Sequence, residues 1–171
     1  MIAARGRDQL RAAANELAAE TGRRIIPLVA DTSDEASVNG LVQAAVAELG
    51  GVDILVNNAA LPGGISTATK LEEVVDAQVL EDININVVGY LRTARAAAPH
   101  LVKNGWGRII HVGGLAIRKT GRPVATLCNV GVAAITKNLA DELGPKGINV
   151  VAVGEAPTQG AARSRKSLMA A

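Results

Sequence analysis

At 171 residues, with 49% hydrophobic and 20% charged side chains, the chain has the length and composition of one globular domain, able to bury roughly 70% of the surface its unfolded form exposes. A net charge of +2 gives no electrostatic footprint for nucleic acid, and an aromatic content of 1% with no Phe leaves little to stack bases on. The single Cys128 excludes an internal disulfide framework and a cysteine-rich metal site. No apolar run reaches the length of a membrane span, and Met1–Arg7 lacks the apolar core of a secretory signal. A cytoplasmic protein that engages neither nucleic acid nor membrane is expected.

In chain order, Ile2–Ala4 is a short apolar piece ending in Arg5-Gly6-Arg7. Asp8 is placed to cap a helix whose Leu10, Ala14 and Leu17 keep a 3.6-residue period, and Gly22 stops it. Ile25–Ala30 is short and β-branched, a strand closed by Asp31-Thr32-Ser33. Ser33 or Asp34 caps the next helix, with Val38, Leu41, Val42, Ala45, Val46 and Leu49 on one stripe and Gly50-Gly51 at its end. Val52–Ala60 follows. Its Ile54-Leu55-Val56 run predicts a central strand of a parallel sheet, and Asn57 and Asn58 stand at the carboxyl end, where open α/β sheets place their ligand crevice.

Leu61–Thr69 reads as a loop with Pro62, Gly63 and Gly64, and from about Lys70 to Val102 the pattern is helical in two pieces, with a break before Ile83–Val88. Ile109–Val112 is a strand, a helix runs from about Val124 to Leu143 and ends at Gly144-Pro145, and Val150–Val153 is the last strand. Glu155–Ala171 has no apolar period. The alternation predicts an α/β fold, a truncated Rossmann-like doubly wound parallel sheet with helices on both faces.

Three stretches resemble the short-chain dehydrogenase/reductase family. Asn57-Asn58-Ala59-Ala60 is close to its Asn-Asn-Ala-Gly turn, Ile85-Asn86-Val87-Val88-Gly89 resembles its Asn-containing helix, and Leu139–Val153 is similar to the segment leading into its sixth strand. The order and spacing of the three carry more than any one of them. The resemblance runs from Ala4 to Thr158, which sets a domain at 1–158 and a tail at 159–171. It implies an oxidoreductase that uses NAD or NADP.

The departures bear on chemistry. The family begins with a strand, a Gly-rich turn and a helix that seat the cofactor pyrophosphate on backbone amides; this chain opens in what resembles the second strand, and neither Gly63-Gly64 nor Gly113-Gly114 replaces that turn. Cofactor binding is therefore expected to be weak or absent. The family's general acid/base Tyr falls on Ala125, its Lys on Asn129, and its Ser in the Gly113-Gly114 region; only Asn86, the relay Asn, remains. The family's Pro-Gly after the sixth strand reads Glu155-Ala156 here, although Pro157-Thr158 persists.

Each surviving position has a plainer alternative. Asp31 matches the family's adenine-contacting Asp or is a turn residue before a helix. Asn57, Asn58 and Ala59 line a nucleotide crevice or make ordinary turn chemistry. Arg5 and Arg7 stand where NADP-preferring relatives place a cation, or are simply solvated. His111 is a substitute base or a strand histidine paired to a neighbour, while Tyr90 and Cys128 read as packing residues. Two functions follow: a degenerate, catalytically impaired oxidoreductase, or a non-catalytic scaffold of the same fold. Helices near 86–102 and 124–143 are apolar around much of their circumference and predict a homodimer.

Overall fold

Strands and helices alternate along the chain in a computed structural model that describes residues 1–60, 66–114 and 120–154. β1 (Ile2–Ala4), α1 (Arg7–Thr21), β2 (Pro27–Val29), α2 (Glu35–Leu49) and β3 (Ile54–Asn57) form the first half. α3 (Asp76–Ile83), α4 (Gly89–Asn104), β4 (Gly107–Gly113), α5 (Pro123–Leu143) and β5 (Ile148–Gly154) form the second. The pairings are parallel, as crossover helices require. The fold is the Rossmann-like α/β arrangement anticipated above, but its strands fall into two groups, β1–β2 and β3–β4–β5, with no ladder joining them among the described residues.

The core lies on one face of the three-stranded sheet. Leu55, Ile109 and Val150 point from successive strands at Ala94, Ala97 and Leu101 of α4 and at Leu139 and Leu143 of α5. Register explains the layer: Leu55 stands opposite Ile109, which stands opposite Val150. Side chains alternate across a sheet, so Ile54, Val56, Ile110, Val151 and Val153 look the other way. Ile54 and Val56 are 55% and 56% exposed. The opposite face of this three-stranded sheet has no helix over it among the described residues.

Local differences have local causes. β2 is shorter than Ile25–Ala30 because its only partner among the described residues, β1, is three residues long. β5 is longer than Val150–Val153 because β4 offers seven residues and β5 pairs along all of them. Asp34 caps α2, accepting from the backbone N–H groups of Ala36 and Ser37 at 3.1 and 3.2 Å. Asp8 does not cap α1: the N-cap is Gly6, and Asp8 sits in the first turn, where a carboxylate still suits the helix dipole. The break expected before Ile83–Val88 is no break. α3 and α4 are joined by a π turn at Asn84–Val88, closed by the Gly89 N–H donating to the Asn84 carbonyl five residues back. Glu155, Ala156, Pro157, Thr158 and the tail, like Pro62, Gly63 and Gly64, lie outside the described residues.

Candidate functional site

The carboxyl ends of β3 and β4 and the start of α5 bring the expected positions together. The Asn129 side chain sits between the other two: its Oδ1 accepts from the Gly114 N–H and its Nδ2 donates to the Ala125 carbonyl at 2.7 Å. Ala125 and Asn129 are both buried. A Cβ placed on Gly114 would stand 3.2 Å from Asn129 Oδ1, and one on Gly113 3.4 Å. Asn129 therefore fills the space a larger side chain at 114 would need. None of these groups exchanges a proton near neutral pH.

Asn86 is buried one turn after Asp82 and donates to its backbone carbonyl at 2.8 Å. Asp82 was not singled out in the sequence. It is wholly buried, with Oδ2 accepting from the Ser66 N–H at 3.0 Å and Oδ1 without a partner among the described residues. The signal for it is the Asp82/Asn86 spacing of one helical turn on an otherwise apolar face. The burial of the site and, after it, the Asp82 charge push the Cys128 thiol up to about 11, so Cys128 is an inert packing group.

His111 is fully buried, with Nδ1 2.9 Å from Thr136 Oγ1. The Thr136 hydroxyl donates to the Val132 carbonyl at 2.6 Å. Its one proton is thus used, so His111 Nδ1 is the donor and Nε2 is left as a bare acceptor, without a partner among the described residues. Burial lowers the pKa of the ring. The Tyr90 ring lies 5.4 Å away centroid to centroid, and its hydroxyl donates to the Val112 carbonyl at 3.0 Å. Burial raises the Tyr90 phenol to about 12, so it holds its proton.

Along the free side of β3, a cavity of about 900 Å³ lies between β1 and β3, bordered by Arg5, Asp31, Asn57, Asn58 and Ala59. The Asp31 carboxyl is held below its usual range, chiefly by hydrogen bonds from the Ser33 hydroxyl and N–H, with smaller help from Arg5 and Arg92. Asn57 is committed elsewhere: Oδ1 accepts from the Thr93 hydroxyl at 2.7 Å and Nδ2 donates to the Tyr90 carbonyl at 3.3 Å. It fastens β3, which lies at the edge of the three-stranded sheet and not at its centre as the sequence predicts, to α4. Among the described residues no His/Cys/Asp/Glu cluster could hold a metal, and no helix is long and apolar enough to cross a membrane.

Parallel strands, crossover helices and a crevice at the carboxyl ends of the strands define a protein of the Rossmann-like class. The short chain dehydrogenase family model matches residues 1–169, and the chain belongs to the short-chain dehydrogenase/reductase family. Relatives include the hydroxy(phenyl)methylsuccinyl-CoA dehydrogenase subunit BbsD of Thauera aromatica, 34% identical across 84% of this chain and 56% of that protein. The 2-(R)-hydroxypropyl-CoM dehydrogenase of Xanthobacter autotrophicus is 31% identical across 76% of this chain and 52% of that one. The chain thus spans about half the length of these relatives. Among solved structures, gox2181 superposes with a TM-score of 0.82 at 27% identity, covering 90% of this chain and 60% of that one. An NAD+-bound xylitol dehydrogenase superposes at 0.83 and 23% identity, covering 95% of this chain and 63% of the other, a likeness of fold.

Proposed function

We propose that this chain is a degenerate, cytoplasmic member of the short-chain dehydrogenase/reductase family, without hydride-transfer activity of its own. The observation that carries this reading is the Asn129 side chain, locked between Gly114 and Ala125 where the family places its proton-transfer groups. Loss of a general acid/base removes about 10²–10⁴ in rate, and loss of an oxyanion-type donor about 10²–10³. Such factors do not simply multiply, but the Tyr90 hydroxyl and His111 Nδ1 are committed to internal hydrogen bonds, and burial raises the Cys128 thiol. A nicotinamide dinucleotide does not fit this set as a reacting cofactor. Asn57 is turned to Thr93, and the Asp31 carboxylate to Ser33.

Calorimetry with NADH and NADPH, paired with turnover assays on generic carbonyls and alcohols, tests the proposal. The expected result is no micromolar affinity and no turnover above background; any residual binding should favour NADPH through Arg5. Steady turnover that vanishes in His111→Ala would reveal a replacement base and end this reading. Ala125→Tyr combined with Asn129→Lys is not expected to restore activity, because Gly114 supplies no hydroxyl.

The second reading, a scaffold that associates with itself, draws support from α5. Leu127 and Val130, 51% and 47% exposed, share a stripe with the exposed Ala134 at helical spacing, free of charge. We expect a homodimer through this helix and the neighbouring α4. Ala134→Glu should halve the mass seen by light scattering across a dilution series; a wild-type monomer at micromolar concentration would rule the interface out.

A further inference from the structure

The sequence holds the pair Asn-Gly twice, as Asn39-Gly40 and Asn104-Gly105. In such a pair the next backbone nitrogen can reach the Asn side-chain carbonyl carbon, and glycine, lacking Cβ, puts no bulk in the way. Both pairs are solvent-exposed, so the backbone around them decides whether that reaction runs. Asn39-Gly40 lies inside α2, which continues to Leu49, between the buried Val38 and Val42. There the Gly40 N–H belongs to the helical ladder, with turns on both sides. Freeing it means opening the middle of a packed helix. Asn104 is the last residue of α4, and Gly105 is its left-handed cap at φ +67°. The Gly105 N–H closes on the Val102 carbonyl at 3.0 Å, and fraying of the last turn releases it. The Asn104 side chain is loosely held as well: its Nδ2 stands 3.5 Å from the Val52 carbonyl, the outer limit of a hydrogen bond. Nothing from elsewhere in the described chain lies within 4 Å of where a Cβ on Gly105 would sit, so this corner has room to turn.

We propose that Asn104 is a site of spontaneous deamidation in the folded protein and that Asn39, the same pair in a helix interior, is not. The Gly105 nitrogen gives its proton to water and attacks Asn104 Cγ. The N–Cγ bond forms, the Cγ–Nδ2 bond breaks, and ammonia leaves, closing a cyclic succinimide. Water then opens the ring. Addition at Cγ restores the ordinary main chain and leaves Asp; addition at the main-chain carbonyl leaves isoaspartate, whose main chain runs through Cγ and is longer by a methylene. Water is consumed and ammonia released, with no oxidant or cofactor. The place in the fold gives the product its effect. The Gly105 carbonyl is packed so close to Gly147 that no room is left there for a Cβ. These two corners lead into β4 and β5, whose pairing starts at Gly107 and Ile148. An extra methylene displaces the Gly105 carbonyl and loosens the start of that ladder, whereas Asp alone changes the charge beside the Val52 carbonyl. This site does not depend on the loss of chemistry at Asn129.

The test incubates the full chain at mildly alkaline pH, folded or in urea, and follows the peptides carrying Asn39 and Asn104 by mass spectrometry. An isoaspartyl carboxyl methyltransferase with labelled methyl donor reports the isoaspartate fraction. In the folded chain Asn104 should convert at least about tenfold faster than Asn39, and in urea the two rates should converge. Asn104→Gln, whose longer side chain closes the corresponding ring far more slowly, should stop methyl incorporation and keep its urea midpoint through the incubation. The incubated wild type should fall below its own starting midpoint, and below that of freshly made Asn104→Asp, which has the charge without the added methylene. Equal rates at the two pairs in the folded chain, or a faster Asn39, would overturn the proposed site. Conversion at Asn104 that leaves the midpoint where it began would overturn its proposed effect on the β4–β5 ladder. The wild-type peptide rates answer the first question should either variant fail to fold.

Discussion

Gly147→Ala should lower unfolding stability by about 2–5 kcal/mol, the largest loss expected for a methyl group added to any of the described glycines. Gly147 follows the short turn at Gly144–Lys146 and has φ +83°. An L-residue there carries a left-handed penalty of about 1–2 kcal/mol. Steric conflict costs more. A Cβ on Gly147 would lie 2.2 Å from the Gly105 carbonyl oxygen and 3.0 Å from its carbon, which are backbone atoms of the corner that leads into β4. Relief requires the entry to β4 or β5 to move, and those strands support Ile109 and Ile148, both fully buried. Overpacking of this kind typically adds about 1–3 kcal/mol. Gly22→Ala is the control. It has φ +64° but nothing within 4 Å of an added Cβ, so only the conformational penalty applies. Urea midpoints compare the two, and equal losses would show that the contact with Gly105 is not what matters.

Acid should weaken the protein well above the carboxylate range, through His111. The ring is neutral in the fold, its Nε2 bare and buried and its pKa lowered by burial. The unfolded chain takes up a proton there near pH ~6.5. Below that value the unfolded state holds more protons than the folded one, so stability falls as pH drops. The slope is bounded by about 1.4 kcal/mol per pH unit, the limit for one proton, and ends once the folded ring itself titrates. Asp31 and Glu73, both held below their usual range, withdraw their contributions only at lower pH. The interval from about pH 7.5 to about 5.5 therefore belongs to His111. His111→Gln should flatten the profile there, whatever it does to stability at the upper end. A wild-type curve parallel to that of the variant would show that the fold does not exclude the charged ring.

Patterns with a short physical range were the legible ones. The apolar stripe of α2 and its Asp34 cap, and the order of strands and helices, follow from spacing and side-chain chemistry alone. The positions Gly114, Ala125 and Asn129 come only from the family resemblance, not from periodicity or composition. The part that was not legible depends on tertiary partners. Nothing in Val52–Ala60 announces that Ile54 and Val56 are exposed among the described residues, since a strand buried on both faces and one buried on a single face can share an apolar run. Asn57 reads equally well as a crevice residue or a turn residue; its actual partner, Thr93, is remote in sequence. Asp82 hides for a similar reason, as its bond to the Ser66 N–H joins a helix to a distant loop.

The π turn at Asn84–Val88 amounts to one residue spliced into an otherwise regular rod. Each residue of an α-helix advances by about 100°, so the splice rephases everything beyond it. It lets Ile85 and Asn86 be buried within the turn while Tyr90, Thr93, Ala97 and Leu101 are buried after it. Arg92 secures the irregularity, donating to the Asn84 carbonyl at 3.2 Å, to its Oδ1 at 2.7 Å and to the Thr32 carbonyl at 3.1 Å. The rod is consequently tuned to length more than to composition. Substitutions within it act where they occur, whereas the gain or loss of a single codon between 84 and 88 would swing the whole of α4 a quarter-turn out of the core.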